Sequence, residues 1–306
     1  MANRDIYDQQ VALLVRILPH LAQETVLALK GGTAINLFFR DLPRLSVDLD
    51  LTYLPVESYD ASLEGIDAAL GRLAAGIKGG IPGAQIHAQQ SAEGHVERLH
   101  VQAGVAIKIE VTPVLRGVVY EPAMMPVTDA VEARFGFAET LVVSKPDLYA
   151  GKLVAALDRQ HPRDLHDVRL LLAEDGVSNE LRRAFIAYVL SSARPLNVIL
   201  NPPRRDLTQK FAREFEGMTE EPVTLDDLHA AWEDMIRIMI GDMPQTHRRF
   251  LMSFKRGEPD WSLLGLAHAA ELPAVKYRVH KLAALTPSRR QAEIDKLRDV
   301  LFPDGE

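Results

Sequence analysis

The chain contains no cysteine in its 306 residues. That excludes disulfides, thiolate zinc sites and a cysteine nucleophile, and it is compatible with a reducing compartment. No apolar run approaches membrane-spanning length, and the opening MANRDIYDQQ has no signal-peptide pattern, so a cytoplasmic protein is expected. Positive charge is not in excess either. The formal net charge of −7 speaks against a general nucleic-acid binder. There is no low-complexity linker and no internal repeat, so nothing in the composition marks a sharp domain boundary.

Hydrophobic residues make up 47% of the chain, enough for a real core, and the length holds one large or two modest domains. Charge is uneven. Residues 1–150 carry 12 basic and 18 acidic side chains, against 23 and 24 in residues 151–306. In the second part, Pro244 to Gly257 holds Arg248, Arg249, Lys255 and Arg256 with no acid, and Lys276 to Arg298 holds seven basic residues against two acidic. Such clusters fit a phosphate backbone or, more plainly, solvated helix faces.

The stretch that organises the rest is Leu29 to Thr52, LKGGTAINLFFRDLPRLSVDLDLT. An apolar run, Val26 to Leu29, meets Gly31-Gly32-Thr33, and an amphipathic segment with Ile35, Leu37, Phe38 and Phe39 follows. The pattern predicts strand, glycine turn, helix. In Ser46 to Leu51 polar and apolar residues then alternate, the period of a half-buried strand, so Asp48 and Asp50 leave one face while Val47, Leu49 and Leu51 pack the other way. Two neighbouring carboxylates repel, and Asp is disfavoured in strands. A hard divalent ion removes both objections, because magnesium takes carboxylates together with substrate phosphates. The glycine turn supplies close backbone approach and N–H groups suited to phosphate. An ordinary turn beside two exposed aspartates is the plainer alternative for each part alone; the combination favours a site for a nucleoside triphosphate.

Upstream, Tyr7 to Ala22 has helical spacing, with Pro19 expected to kink or end it. Downstream, Ser58 to Leu73 predicts a helix and Gly76 to Gly83 a glycine-rich turn. Three strands are expected at Ala84–Gln89, Arg98–Ala103 and Val105–Thr112. The last reads VAIKIEVT, with Lys108 and Glu110 on one face and Ile107, Ile109 and Val111 on the other. Alternation ends around Pro122 to Pro126, and the remainder is expected to be mainly helical. Ser144-Lys145-Pro146-Asp147 has the signals of a helix start, and Lys152 falls within or at the edge of the apolar stripe that follows. There it either snorkels to water or reaches a phosphate as a point charge. Pro162 suits a first helical turn, where Asp164 and Asp167 complement its positive end. His161 and His166 are unsuited to hard-ion chemistry. Further helices are expected at Leu181–Leu190, Asp206–Phe215, Leu225–Ile240, His247–Phe254 and Pro287–Leu301.

These residues resemble a known family. Gly-Gly followed by Asp-x-Asp is similar to the signature of the DNA polymerase β-like nucleotidyltransferases. More closely, KGGTAINLFFR with RLSVDLDL resembles the AbiEii/AbiGii abortive-infection toxins, which include the MenT-like enzymes. GKLVAAL around Lys152, Arg163-Asp164 with Asp167, Phe215 to Thr219 and Glu258 to Trp261 also look like family landmarks, so the likeness covers nearly the whole chain.

The resemblance implies an α+β fold: a polymerase β-like core of residues 1–140, with a small mixed sheet and flanking helices, then a helical domain of residues 141–306. It implies Asp48, Asp50 and Glu110 as ligands of magnesium (manganese being the alternative), two ions about 3.5–4 Å apart. Gly31, Gly32, Thr33 and Lys152 would bind the triphosphate. Arg44 and Ser46 either add donors or are ordinary exposed side chains. Asp164 would orient Lys152 or the nucleotide, and either Glu110 or Asp48 would accept the proton of the attacking hydroxyl. The implied activity is transfer of a nucleoside monophosphate from NTP to the 3′ end of tRNA, halting growth, with an AbiEi-like antitoxin as partner. Transfer to a protein or an antibiotic-like small molecule is the competing enzymatic reading, and an RNA- or antitoxin-binding scaffold the non-enzymatic one.

Overall fold

The computed structural model describes residues 2–303 and 305. The chain forms two compact units: residues 1–144 with 218–221, and residues 145–217 with 222–306.

The first unit is built on a seven-stranded mixed sheet in the order β3-β4-β5-β2-β1-β7-β6. Its strands are β1 (Leu27–Lys30), β2 (Asp48–Tyr53), β3 (Gln85–Gln90), β4 (Val96–Ala103), β5 (Val105–Val111), β6 (Ala123–Pro126) and β7 (Glu139–Val142). The expected alternation holds: Leu49 and Leu51 of β2 and Ile109 of β5 have no exposed surface, while Asp48, Asp50, Lys108 and Glu110 are partly exposed. β2 runs antiparallel to β1 and parallel to β5, with Asp50 opposite both Lys30 and Glu110. Helices α1 (Ala2–Leu21) and α3 (Tyr59–Gly80) pack against the sheet.

Pro19 lies inside α1, and the helix ends two residues later. The glycine turn expected at Gly76 to Gly83 is corrected: α3 is capped by the Ser58 side chain and continues to Gly80. Leu73 and Ile77 stay buried on the same stripe as Leu63, Ile66 and Leu70, each contributing about 1.5–3 kcal/mol by leaving water. A turn remains only at Ile81 to Gly83, where Gly83 has a φ of +75°, while Gly76 and Gly80 serve close approach. A Cβ on Gly80 would overlap the His20 ring of α1, and one on Gly76 would touch it. A second correction concerns the stretch after Pro122, where β6 and β7 form a hairpin around α4 (Asp129–Phe135), and β7 joins β1 in parallel. Four-residue strands are too short to show a period.

The second unit is helical: α5 (Lys145–Arg159), α6 (Pro162–Leu170), α7 (Asn179–Ser191), α8 (Leu196–Ile199), α9 (Thr208–Glu214), α10 (Leu225–Ile236), α11 (Gln245–Arg256), α12 (Pro273–Ala283) and α13 (Pro287–Leu301). Trp261 packs on Phe250 and Phe254 of α11, with ring centroids 4.9 and 6.4 Å away. Residues 218–221 lie with the sheet. Leu45 N–H donates to the Met218 carbonyl at 2.9 Å, and Thr219 bridges Arg44.

Candidate active site

β1 ends at Lys30, and Gly31 turns the chain with a φ of +79° into α2 (Gly31–Ala34), which continues as a wide helical turn through Ile35–Phe39. Only glycine holds that conformation cheaply. Space demands it as well. A Cβ on Gly31 would lie 2.5 Å from Asp50 Oδ2, and one on Gly32 would collide with the Arg44 guanidinium and come within 2.9 Å of Ser46 Oγ. The glycine turn and the Asp-x-Asp strand therefore meet, as residues 29–52 predict.

Thr33 ties them together. Its buried hydroxyl donates to the Asp48 carbonyl at 2.6 Å and lies 3.2 Å from Ser46 Oγ. Arg44, whose plainer reading was solvent exposure, is only 3% exposed. Its carbonyl accepts from Asn36 Nδ2 at 2.5 Å and from the Tyr7 hydroxyl at 3.2 Å, and its guanidinium donates to the Leu45 carbonyl at 3.0 Å. The loop before the aspartates is thus anchored from several sides.

The strand register brings Asp48, Asp50 and Glu110 to one sheet face, with Asp50 beside Glu110 and Asp48 beside Lys108. Cations interleave with them. Arg98 of β4, opposite Glu110, donates to both its oxygens, at 2.9 and 3.2 Å. Lys108 Nζ lies 2.9 Å from Glu110 Oε2 and 3.8 Å from Asp48 Oδ2. Burial would raise the Glu110 pKa, but hydrogen bonds from Arg98 and Lys108 outweigh it and lower the pKa below the usual carboxylate value. Burial pushes the Lys30 pKa down, against the opposing pull of Asp50 and Glu110.

Alternation places Lys108 on this face but does not reveal it as a counter-ion, nor does it reveal the parts of Lys30 and Arg98. The signal for Arg98 was available, since Arg98 and His100 alternate with buried Leu99 and Val101. Pairing β4 with β5 was the missing step.

Among the described residues, no three His, Asp or Glu side chains form a ready metal cage. Asp48 and Asp50 nevertheless have the donor chemistry for a hard divalent ion: two carboxylates two residues apart on one strand face, with Asp48 half exposed. Glu110 can join them only by giving up cations that already occupy it.

Lys152 and Asp164 belong to the helical unit. Lys152 does not snorkel. Its ammonium is buried, 2.9 Å from Asp164 Oδ1 and 3.1 Å from Asp167 Oδ2. Arg159 adds two hydrogen bonds to Asp164, at 2.5 and 3.0 Å. Burial alone would raise the Asp164 pKa; Lys152 and Arg159 reverse that and hold the carboxyl well below its ordinary range. The α6 cap comes from His161, whose Nδ1 accepts from Arg163 N–H at 3.1 Å. Asp164 is therefore an ion-pair partner as well as a first-turn acid, and Asp167, in the second turn, is an ion-pair partner.

The basic clusters of this unit are largely spent on structure. The Arg248 guanidinium donates to the carbonyls of Ile240, Gly241, Met243 and Leu301, and buried Lys255 pairs with Glu293. Arg278 holds the carbonyls of Leu190, Ser192 and Arg194, with burial lowering its pKa to about 10.

The first unit thus carries paired aspartates on a mixed sheet against a glycine turn, and the second is helical. Residues 12–269 match the model of a family described as the nucleotidyl transferase AbiEii toxin of type IV toxin–antitoxin systems. The chain belongs to that family and is a nucleotidyltransferase. Among solved structures it is similar to MenT4, a nucleotidyltransferase toxin from Mycobacterium tuberculosis H37Rv, at a TM-score of 0.59 and 18% identity, over 90% of this chain and 93% of that one. No curated protein matches the sequence. Membership implies an NTP substrate and an antitoxin partner. No helix among the described residues is long and apolar enough to cross a membrane.

Proposed function

We propose that the chain is a divalent-metal-dependent toxin that transfers a nucleoside monophosphate from NTP to the 3′ end of tRNA. The observation that supports this most is the meeting of Gly31 with Asp50 on a strand whose Asp48 lies on the same face. Asp48 and Asp50 would hold the metal, which supplies Lewis-acid neutralisation of the triphosphate. Gly31 and Gly32 let phosphate approach the backbone, and Ser46 and Arg44 contribute donors beside Gly32. Thr33 acts indirectly, fixing the Asp48 backbone through its hydroxyl.

Glu110 is held ionised by two cations, which makes it a weak proton acceptor, so Asp48 is assigned the proton of the attacking hydroxyl. Glu110 would complete the carboxylate row as a third ligand once both Lys108 and Arg98 release its oxygens. The family motif assigns Lys152 to triphosphate binding and Asp164 to orienting Lys152 or the nucleotide, with residues 1–140 as catalytic and 141–306 as helical domain. Magnesium is the expected metal, the cytoplasm the expected location and an AbiEi-like regulator the expected antitoxin.

The test is incubation with magnesium, each labelled NTP and total RNA. Label in tRNA is expected. Label in protein or a small molecule instead would replace the acceptor, and no transfer with any NTP would overturn the mechanism.

A further inference from the structure

The sheet has two unlike faces at its β3–β4–β5 end. One is apolar: Leu99, Val101, Ile107 and Ile109 are buried where α1 and α3 pack. On the other, the antiparallel register lines up His87 with His100 and Lys108, and Gln89 with Arg98 and Glu110. These rows continue across β2 to Asp48 and Asp50. His87, Gln89 and His100 are exposed, and Arg98 and Lys108 partly so.

A solvated face is usual for antiparallel strands, but this one is unusual in content and order. Glu110 is its sole carboxylate across β3, β4 and β5, and Arg98 and Lys108 more than neutralise it. Gln89 Oε1 accepts from Arg98 Nη1 at 3.1 Å and lies 3.3 Å from His100 Nε2. The polar groups are thereby held level with one another and with the aspartates.

We propose that this face binds the 3′-terminal single-stranded segment of an acceptor RNA and leads its end to Asp48 and Asp50. The proposal deepens the reading above and rests on it. Open sheet faces take single strands by stacking bases on flat rings, as the adjacent His87 and His100 imidazoles allow, and by hydrogen-bonding base edges, for which Gln89 offers an amide. Arg98 and Lys108 meet the backbone phosphates. Three strand spacings separate His87 from Asp48, about 14 Å, room for the last few nucleotides. A protein acceptor is disfavoured because no large apolar anchor stands on this face of β3–β5, and a small molecule because the face is open rather than concave. Arg98 and Lys108 are favoured over the helical unit's basic clusters because they stand on the same strand rows as Asp48 and Asp50.

The test uses the full chain and a short, labelled single-stranded RNA with a free 3′ hydroxyl, followed by fluorescence anisotropy. The double substitution H87A/H100A is expected to weaken RNA binding about 10-fold or more and to raise KM for RNA by a similar factor. NTP binding by calorimetry and the thermal midpoint should stay unchanged, because both rings are exposed. His100→Phe should restore much of the binding, which a purely structural role would not predict. If wild type labels RNA but the double variant binds and uses it normally, the surface is wrong and the transfer reading stands. If wild type neither binds nor labels RNA, the acceptor reading itself falls, and the surface with it.

Discussion

Gly31 sits where the backbone is left-handed and a side chain would meet Asp50. Gly31→Ala is expected to cost about 1–2 kcal/mol from the conformation alone, and to displace Asp50 in addition. Transfer should fall much further than the urea midpoint does. Asp50→Asn should leave circular dichroism and melting unchanged and abolish transfer, since a neutral amide holds a hard cation poorly. Unaltered turnover would remove this residue from the site. Lys108 lies between Asp48 and Glu110 and so competes with any metal for both. Lys108→Met is expected to tighten manganese binding about 10-fold, or about 1.4 kcal/mol, read as loss of the free-ion signal in electron paramagnetic resonance. Weaker binding would show that the ammonium does not compete. At this scale the aspartates, the glycines and the shared face of Lys108 and Glu110 could be read from alternation. The burial of Arg44 and the hold of Arg98 on Glu110 could not, because both depend on partners distant in sequence.

The α5–α6 pair carries the prediction that belongs to elements. Lys152, Asp164 and Asp167 form one buried charge cluster, which Arg159 closes from the solvent side, and removing one buried partner leaves the others uncompensated. Lys152→Ala should cost about 3 kcal/mol in urea unfolding. Triphosphate binding therefore has to be measured by calorimetry well below the melting point, where weaker binding is expected; a lowered midpoint with normal binding would make the lysine structural. The same cluster sets an acid dependence. The Asp164 pKa is lower folded than unfolded, so its stabilisation is complete above about pH 4 and is lost as pH falls through the folded value. Asp164→Asn should flatten that acid limb of a stability-against-pH curve. Elements with a clear period were legible: β2, β5, and α13, whose observed span matches the expected Pro287–Leu301. α3 was cut short because Gly76 and Gly80 looked like turn residues, and their reason, the His20 ring of α1, is not a local signal.

At the scale of the molecule, the two units are not successive pieces of chain. Residues 218–221 sit with the sheet, between stretches that belong to the helical unit. Nothing in FEGMTEE announces this, because its contacts to Leu45 and Arg44 are made by backbone. Replacing residues 218–221 with Gly-Ser-Gly-Ser is expected to lower stability by about 1–2 kcal/mol, from one or two backbone hydrogen bonds and a looser chain. Hydrogen exchange should quicken around Leu45; no change there would show that the segment is not a brace.

That brace has a consequence for synthesis. A ribosome finishes β7 at residue 142, yet the loop ahead of the aspartates gains its last backbone partners only after residue 219 has emerged. A chain released early would carry every carboxylate of the row in a sheet still lacking its final stitch.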